Sequence, residues 1–101
     1  MPRPSGAGSP EYRVFETTEF TRRLGKLPAS DARAIRKKLD EYVYPQVRAA
    51  PFFGVNIKKL RGYTPDTWRY RVGRFRVFYT VDQEEQVVSM LTVALRRDAY
   101  R

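Results

Sequence analysis

Cysteine and histidine are both missing from this 101-residue chain. Without cysteine there are no disulfides, no thiolate metal sites and no thiol nucleophile. Without histidine there is no imidazole zinc site, no serine–histidine–aspartate triad and no imidazole acid/base chemistry. Negative charge is scarce: 11 acidic residues stand against 20 Lys and Arg, a net charge of +9. No apolar run approaches the ~18 residues of a membrane span, and the N-terminus lacks the apolar core of a signal peptide. The expectation is a cytoplasmic protein with no membrane partner. The basic balance favours a polyanion as partner, either nucleic acid or an acidic protein. It says nothing about fold.

Hydrophobic residues make up 42% of the chain and aromatics 14%, enough for a folded core. The length fits one domain. Residues 1–10, MPRPSGAGSP, are Pro, Gly and Ser with nothing large and apolar, the composition of a disordered tail. The domain is therefore placed at 11–101.

Tyr12 to Phe15 reads as a first strand. Thr17 or Thr18 caps a helix with Glu19 in its first turn. Phe20 and Leu24 share one face of that helix, and Gly25 ends it. A longer helix starts at Pro28 to Asp31. Its apolar stripe is Ile35, Leu39, Tyr42 and Val43, and Pro45 is expected to stop it. Val55 to Leu60 reads as an edge strand. Trp68 to Val72 alternates as a half-buried strand does, Gly73-Arg74 is a tight turn, and Phe75 to Val81 is the next strand. Gln86 to Ala94 is apolar on both faces and belongs inside a sheet. The fold class is α+β: an N-terminal strand, a two-helix hairpin, then an antiparallel β-meander packed on the helices.

The turn sets the register of the hairpin. Val72 faces Phe75, Arg71 faces Arg76, Tyr70 faces Val77, Arg69 faces Phe78 and Trp68 faces Tyr79. One face carries Trp68, Tyr70, Val72, Phe75, Val77 and Tyr79, and is the core. The other carries Arg69, Arg71 and Arg76 with Phe78 beside them. A slip of one residue would push arginines into the core. Arg71 opposite Arg76 is unfavourable by itself, because like charges across a sheet repel. An anion between them offsets that repulsion, and guanidinium forks match phosphate oxygens.

Between Lys58 and Arg76 there are seven basic residues (Lys58, Lys59, Arg61, Arg69, Arg71, Arg74, Arg76) and one acid, Asp66. Arg96, Arg97 and Tyr100 follow near the chain end. Plainer readings stand beside the phosphate site. An arginine-rich strand face can be only a solvated face, and edge lysines can serve to block sheet aggregation. Tyr100 can be a simple terminal anchor. Trp68, Tyr70 and Tyr79 belong to the core, whereas Phe78 can stack on a base. Phe52 and Phe53 read as loop packing. Asp82, Glu84 and Glu85 read as a solubilising turn. No metal site and no cofactor are implied.

The chain resembles the RelE/ParE superfamily of bacterial toxins from toxin–antitoxin pairs. The resemblance rests on KKLRG at Lys58 to Gly62, WRYRVGRFRVFYTV at Trp68 to Val81 and VALRRDAYR at Val93 to Arg101, and spans residues 12–100. The RelE branch implies a ribosome-dependent, metal-independent mRNA endoribonuclease. It implies catalytic roles for Arg69, Arg71, Arg76, Arg96 and Tyr100. RNA contacts then fall to Lys58, Lys59, Arg61, Arg74, Phe78 and Arg97. The hairpin arginines would hold the scissile phosphate, Tyr100 would be the base, and Lys58 or Lys59 could supply a proton. Many relatives place a histidine where this chain has Leu95. The implied partners are a cognate acidic antitoxin and mRNA in the ribosomal decoding site, with a free monomer and a hetero-oligomer with antitoxin. Two other readings remain: a ParE-like DNA gyrase inhibitor on the same fold, and a non-catalytic basic RNA-binding module.

Overall fold

The computed structural model describes residues 11–95. The expected tail at residues 1–10, and Arg96, Arg97 and Tyr100, lie outside the described residues. Among these, five strands form one sheet in the order β1-β5-β4-β3-β2. They are β1 (Arg13–Glu16), β2 (Ile57–Lys59), β3 (Trp68–Val72), β4 (Phe75–Asp82) and β5 (Val87–Leu95). Helices α1 (Thr18–Gly25), α2 (Ala29–Lys38) and α3 (Tyr44–Ala49) cover one face, with a π-helical turn (Leu39–Val43) joining α2 to α3. The α+β architecture agrees with the sequence reading.

Each element has a local cause. The Thr17 side-chain oxygen accepts the Phe20 N–H at 3.1 Å and caps α1. Phe20 and Leu24 are the buried face of α1. In the hairpin, Gly73 has φ of +60° while Arg74 does not enter the positive-φ region. That is the signature of a II′ turn, which matches the twist of the strands it joins. The pairing of β3 with β4 is the one read from sequence, from Val72 opposite Phe75 to Trp68 opposite Tyr79.

Three expectations need correction. Pro45 does not stop the helix. The Tyr44 N–H reaches back to the Leu39 carbonyl, five residues earlier, and this wider turn accommodates a ring that would clash in a regular α-helix. The same extra residue breaks the apolar stripe. Val43 and Tyr44 are buried with Leu39, whereas Tyr42 points outward and is 62% exposed. The edge strand is only Ile57–Lys59, shorter than the expected 55–60.

The pairing of β1 was not foreseen. It lies parallel to β5, with Val14 opposite Val88. Strand β5 therefore has neighbours on both sides, as its two apolar faces require. A bulge between Phe78 and Tyr79 skips Leu91. The Leu91 carbonyl accepts the Thr17 hydroxyl at 3.2 Å, so the bulge also anchors the start of α1. The core fills the space between helices and sheet. At its centre Phe20, Leu39, Val47, Val77, Tyr79, Val88 and Met90 are all completely buried.

One polar cluster ties strand β1 to the helices. The Arg36 guanidinium donates to both oxygens of Glu16, at 2.7 and 3.2 Å, and the Tyr44 hydroxyl donates to the same carboxylate. The Arg36 hydrogen bond holds the Glu16 carboxyl below its usual range, against an opposing push from burial. A folded-state pKa lower than the unfolded one gives stability that is present above the unfolded value, ~4.3. That stability is lost as pH falls through the folded value. Urea midpoints of the wild-type protein and Glu16→Gln should therefore differ at pH 7 and converge towards pH 3.

Candidate functional site

The sheet face turned away from the helices carries the basic residues. Pairing sets two adjacent rows across it. Lys58, Arg69, Phe78 and Thr92 form one row, and Arg71, Arg76 and Ala94 form the next. Arg71 and Arg76 are directly opposed, as the register demanded. Lys58, Arg69, Arg71, Arg76 and Phe78 are thus brought to one face.

Their depths differ, and this departs from the open basic face read in the sequence. Arg71 is exposed, but Arg69 is only 8% and Arg76 only 1% exposed. Arg69 is drawn down because its Nη1 donates to the Asn56 carbonyl at 2.6 Å. That same carbonyl accepts the Arg71 backbone N–H at 3.0 Å. Arg69 Nε makes no hydrogen bond with the described residues. A merely solvated face would leave such long cations in water, since arginine is rarely fully buried. The solvated-face reading therefore fits Arg71 and fails for Arg69 and Arg76. Asn56 itself was not picked out from the sequence, because a backbone carbonyl leaves no side-chain signal.

Two predicted contacts lie elsewhere. Lys59 points to the other side of β2, opposite Trp68, where its Nζ meets Asp66 at 3.2 Å and sits 6.0 Å from the Trp68 ring centre. Arg74 leaves the turn towards α2, pairs with Asp31 at 3.1 Å and covers the Phe75 ring at 5.3 Å. Neither joins the face, and each is withdrawn by a carboxylate. Arg61 is exposed in the loop after β2.

Trp68 and Tyr79 lie in the packing, as the sequence reading expects. Trp68 stacks on Tyr79 at 6.4 Å and meets Phe52 at 5.0 Å, which places it in the packing. The Tyr79 hydroxyl donates to the Pro51 carbonyl at 2.7 Å, and burial pushes its pKa well up. Phe53, in contrast, is 76% exposed, its ring meeting that of Phe52 edge-on at 6.4 Å. In the acidic turn, the Asp82 carboxylate accepts the Glu85 N–H at 3.0 Å, a turn-closing role. Among the described residues no group of three or more acidic side chains is placed to hold a metal.

A five-stranded sheet of this order, covered on one face by helices, matches the fold of solved RelE-like toxins. The toxin–antitoxin complex RelBE2 from Mycobacterium tuberculosis is 29% identical, over 85% of this chain and 99% of that one, with a TM-score of 0.67. The archaeal RelE–RelB complex from Pyrococcus horikoshii is also 29% identical, over 85% and 96%, with a TM-score of 0.58. The YoeB/ParE toxin from Agrobacterium tumefaciens, 20% identical over 82% and 96%, shares the fold with a TM-score of 0.65. No curated protein matches the sequence. The family described as the ParE toxin of type II toxin–antitoxin systems, parDE, matches residues 14–100. The chain belongs to this family of type II toxins, within the RelE/ParE superfamily.

Proposed function

We propose that this toxin is a ribosome-dependent mRNA endoribonuclease, silenced in the cytoplasm by a cognate acidic antitoxin. The observation that carries the reading is the direct opposition of Arg71 and Arg76, with Arg69 beside them. Like charges opposed across a sheet repel one another. An RNA phosphate gains a great deal from them. Arg71 is the exposed member and reaches the phosphate. Arg69 and Arg76 lie deeper and act where the low dielectric strengthens their field.

The chemistry needs no metal. Tyr100 takes the proton of the ribose 2′-hydroxyl, acting as the general base. The 2′-oxygen attacks phosphorus, and charge on the phosphorane is balanced by the guanidiniums. The bond to the 5′-oxygen breaks, and that oxygen takes a proton from Lys58. Lys58 is preferred to Lys59, which is engaged by Asp66 on the far side of β2. The products are a 2′,3′-cyclic phosphate and a 5′-hydroxyl. Arg96 and Arg97 add positive charge along the RNA, and Phe78 offers a ring for stacking.

The second reading is a ParE-like gyrase inhibitor. It is favoured by the family description and by the withdrawal of Arg69 and Arg76 from solvent. Adding the purified toxin to ribosomes loaded with an end-labelled mRNA separates the two. Cleavage within the decoding site, leaving a cyclic phosphate, is expected. Intact mRNA together with gyrase-dependent DNA breaks would overturn the proposal in favour of the second reading.

A further inference from the structure

Beyond the arginine face, the molecule has a second basic feature on the side of the helices. A cleft of 270 Å³ opens between the π-helical turn and the end of β3. Lys38, Tyr42, Val43, Asn56, Arg71 and Val72 are among the residues that line it, and no carboxylate does.

Two features of the fold create it. Strand β2 begins only at Ile57, opposite Tyr70, and the Asn56 carbonyl still accepts the Arg71 N–H, so on that side the edge of β3 opens only beyond Arg71, at Val72. The π-helical turn then turns Tyr42 outward, where its ring is 62% exposed. Turns of this type recur at functional sites because the extra residue re-aims a side chain. The result is one exposed aromatic ring in a cleft that Lys38 and Arg71 also line.

From this geometry we propose that the cleft binds one nucleotide of single-stranded RNA. Lys38 and Arg71 hold its phosphate, and Tyr42 stacks on its base. The proposal rests on the RNA-cutting reading and extends it. Arg71 belongs to both surfaces, so a strand lying on the arginine face can round the open edge of β3 and place a neighbouring nucleotide in the cleft. The volume lies just below the usual range of small-molecule pockets, ~300–1,000 Å³, which suits a single nucleotide and not a longer ligand.

Adenosine monophosphate titrated into the full-length protein, followed by amide NMR, tests this. Shifts are expected at residues 38–43 and 71–73. Tyr42→Ala and Lys38→Ala should each weaken binding about tenfold, whereas Tyr42→Phe should bind like wild type. Both residues are exposed, so the variants keep the fold. Unchanged affinity in Tyr42→Ala, or tighter binding of a hexaglutamate peptide at the same residues, would overturn the proposal. The second result would assign the cleft to an acidic protein. In the ribosome assay, Lys38→Ala should raise KM and leave kcat unchanged. Wild-type KM in that variant contradicts the cleft alone, whereas absence of cleavage by the wild-type toxin contradicts the endoribonuclease reading and leaves the nucleotide titration to decide the cleft.

Discussion

Arg71→Ala should lower the single-turnover rate of mRNA cleavage on the ribosome by ~10²–10³-fold, the usual loss when one donor to a developing oxyanion is removed. The variant should still bind antitoxin and unfold at the same temperature. Arg71 is exposed and its side chain shows no hydrogen bond to the described residues, so truncating it disturbs little of the fold. Its backbone N–H keeps its bond to Asn56 whatever the side chain. Removing one of two opposed cations also relieves repulsion with Arg76, which should leave stability level or slightly higher. Arg71→Lys should recover only part of the rate, because an ammonium lacks the two-pronged fit to phosphate. A loss of activity that tracks a loss of melting temperature would mean that Arg71 is structural.

The second large effect is on stability. Tyr79→Ala should destabilise the protein by about 3–5 kcal/mol, as measured by urea unfolding. Tyr79 is completely buried in the middle of β4, stacked on Trp68. Truncation leaves a cavity that the surrounding strands and helices cannot close. Tyr79→Phe separates the ring from the hydroxyl. It keeps the packing but leaves the Pro51 carbonyl without its donor, a cost of about 1–3 kcal/mol. The hydroxyl also fastens the segment that leads from Pro51 to Asn56. Loosening it should release Arg69 from the Asn56 carbonyl. Tyr79→Phe should therefore speed hydrogen exchange at residues 52–56 more than in α1. A uniform effect across the fold would show that the bond contributes only to global stability.

The hairpin was legible from sequence because two local signals agreed. Strict alternation assigned each side chain to a face, and Gly73 determined the turn, so a single register was compatible with both. The depth of a residue is a different matter. Alternation placed Arg69 and Arg76 on the outer face but could not tell that they are buried there. Local sequence marks Lys59 and Arg74 as basic but not as paired, because their partners Asp66 and Asp31 are set by folding. Asp31 meets Arg74 across 43 residues of chain. Tyr42 was misread for a different reason. Helical periodicity assumes 3.6 residues per turn, and the π-helical turn before Pro45 shifts the frame by one. The parallel pairing of β1 with β5 joins residues more than seventy positions apart and has no local signature.

The account stands on the claim that the guanidiniums of one sheet face receive an RNA phosphate. Arginine Nε–H resonances report on it directly. The toxin labelled with ¹⁵N is titrated with a short RNA carrying 2′-O-methyl groups, which binds without being cut. The account predicts that the side-chain signals of Arg69, Arg71 and Arg76 move together, with Arg71 moving most. RNA that binds while these three signals stay in place would contradict it.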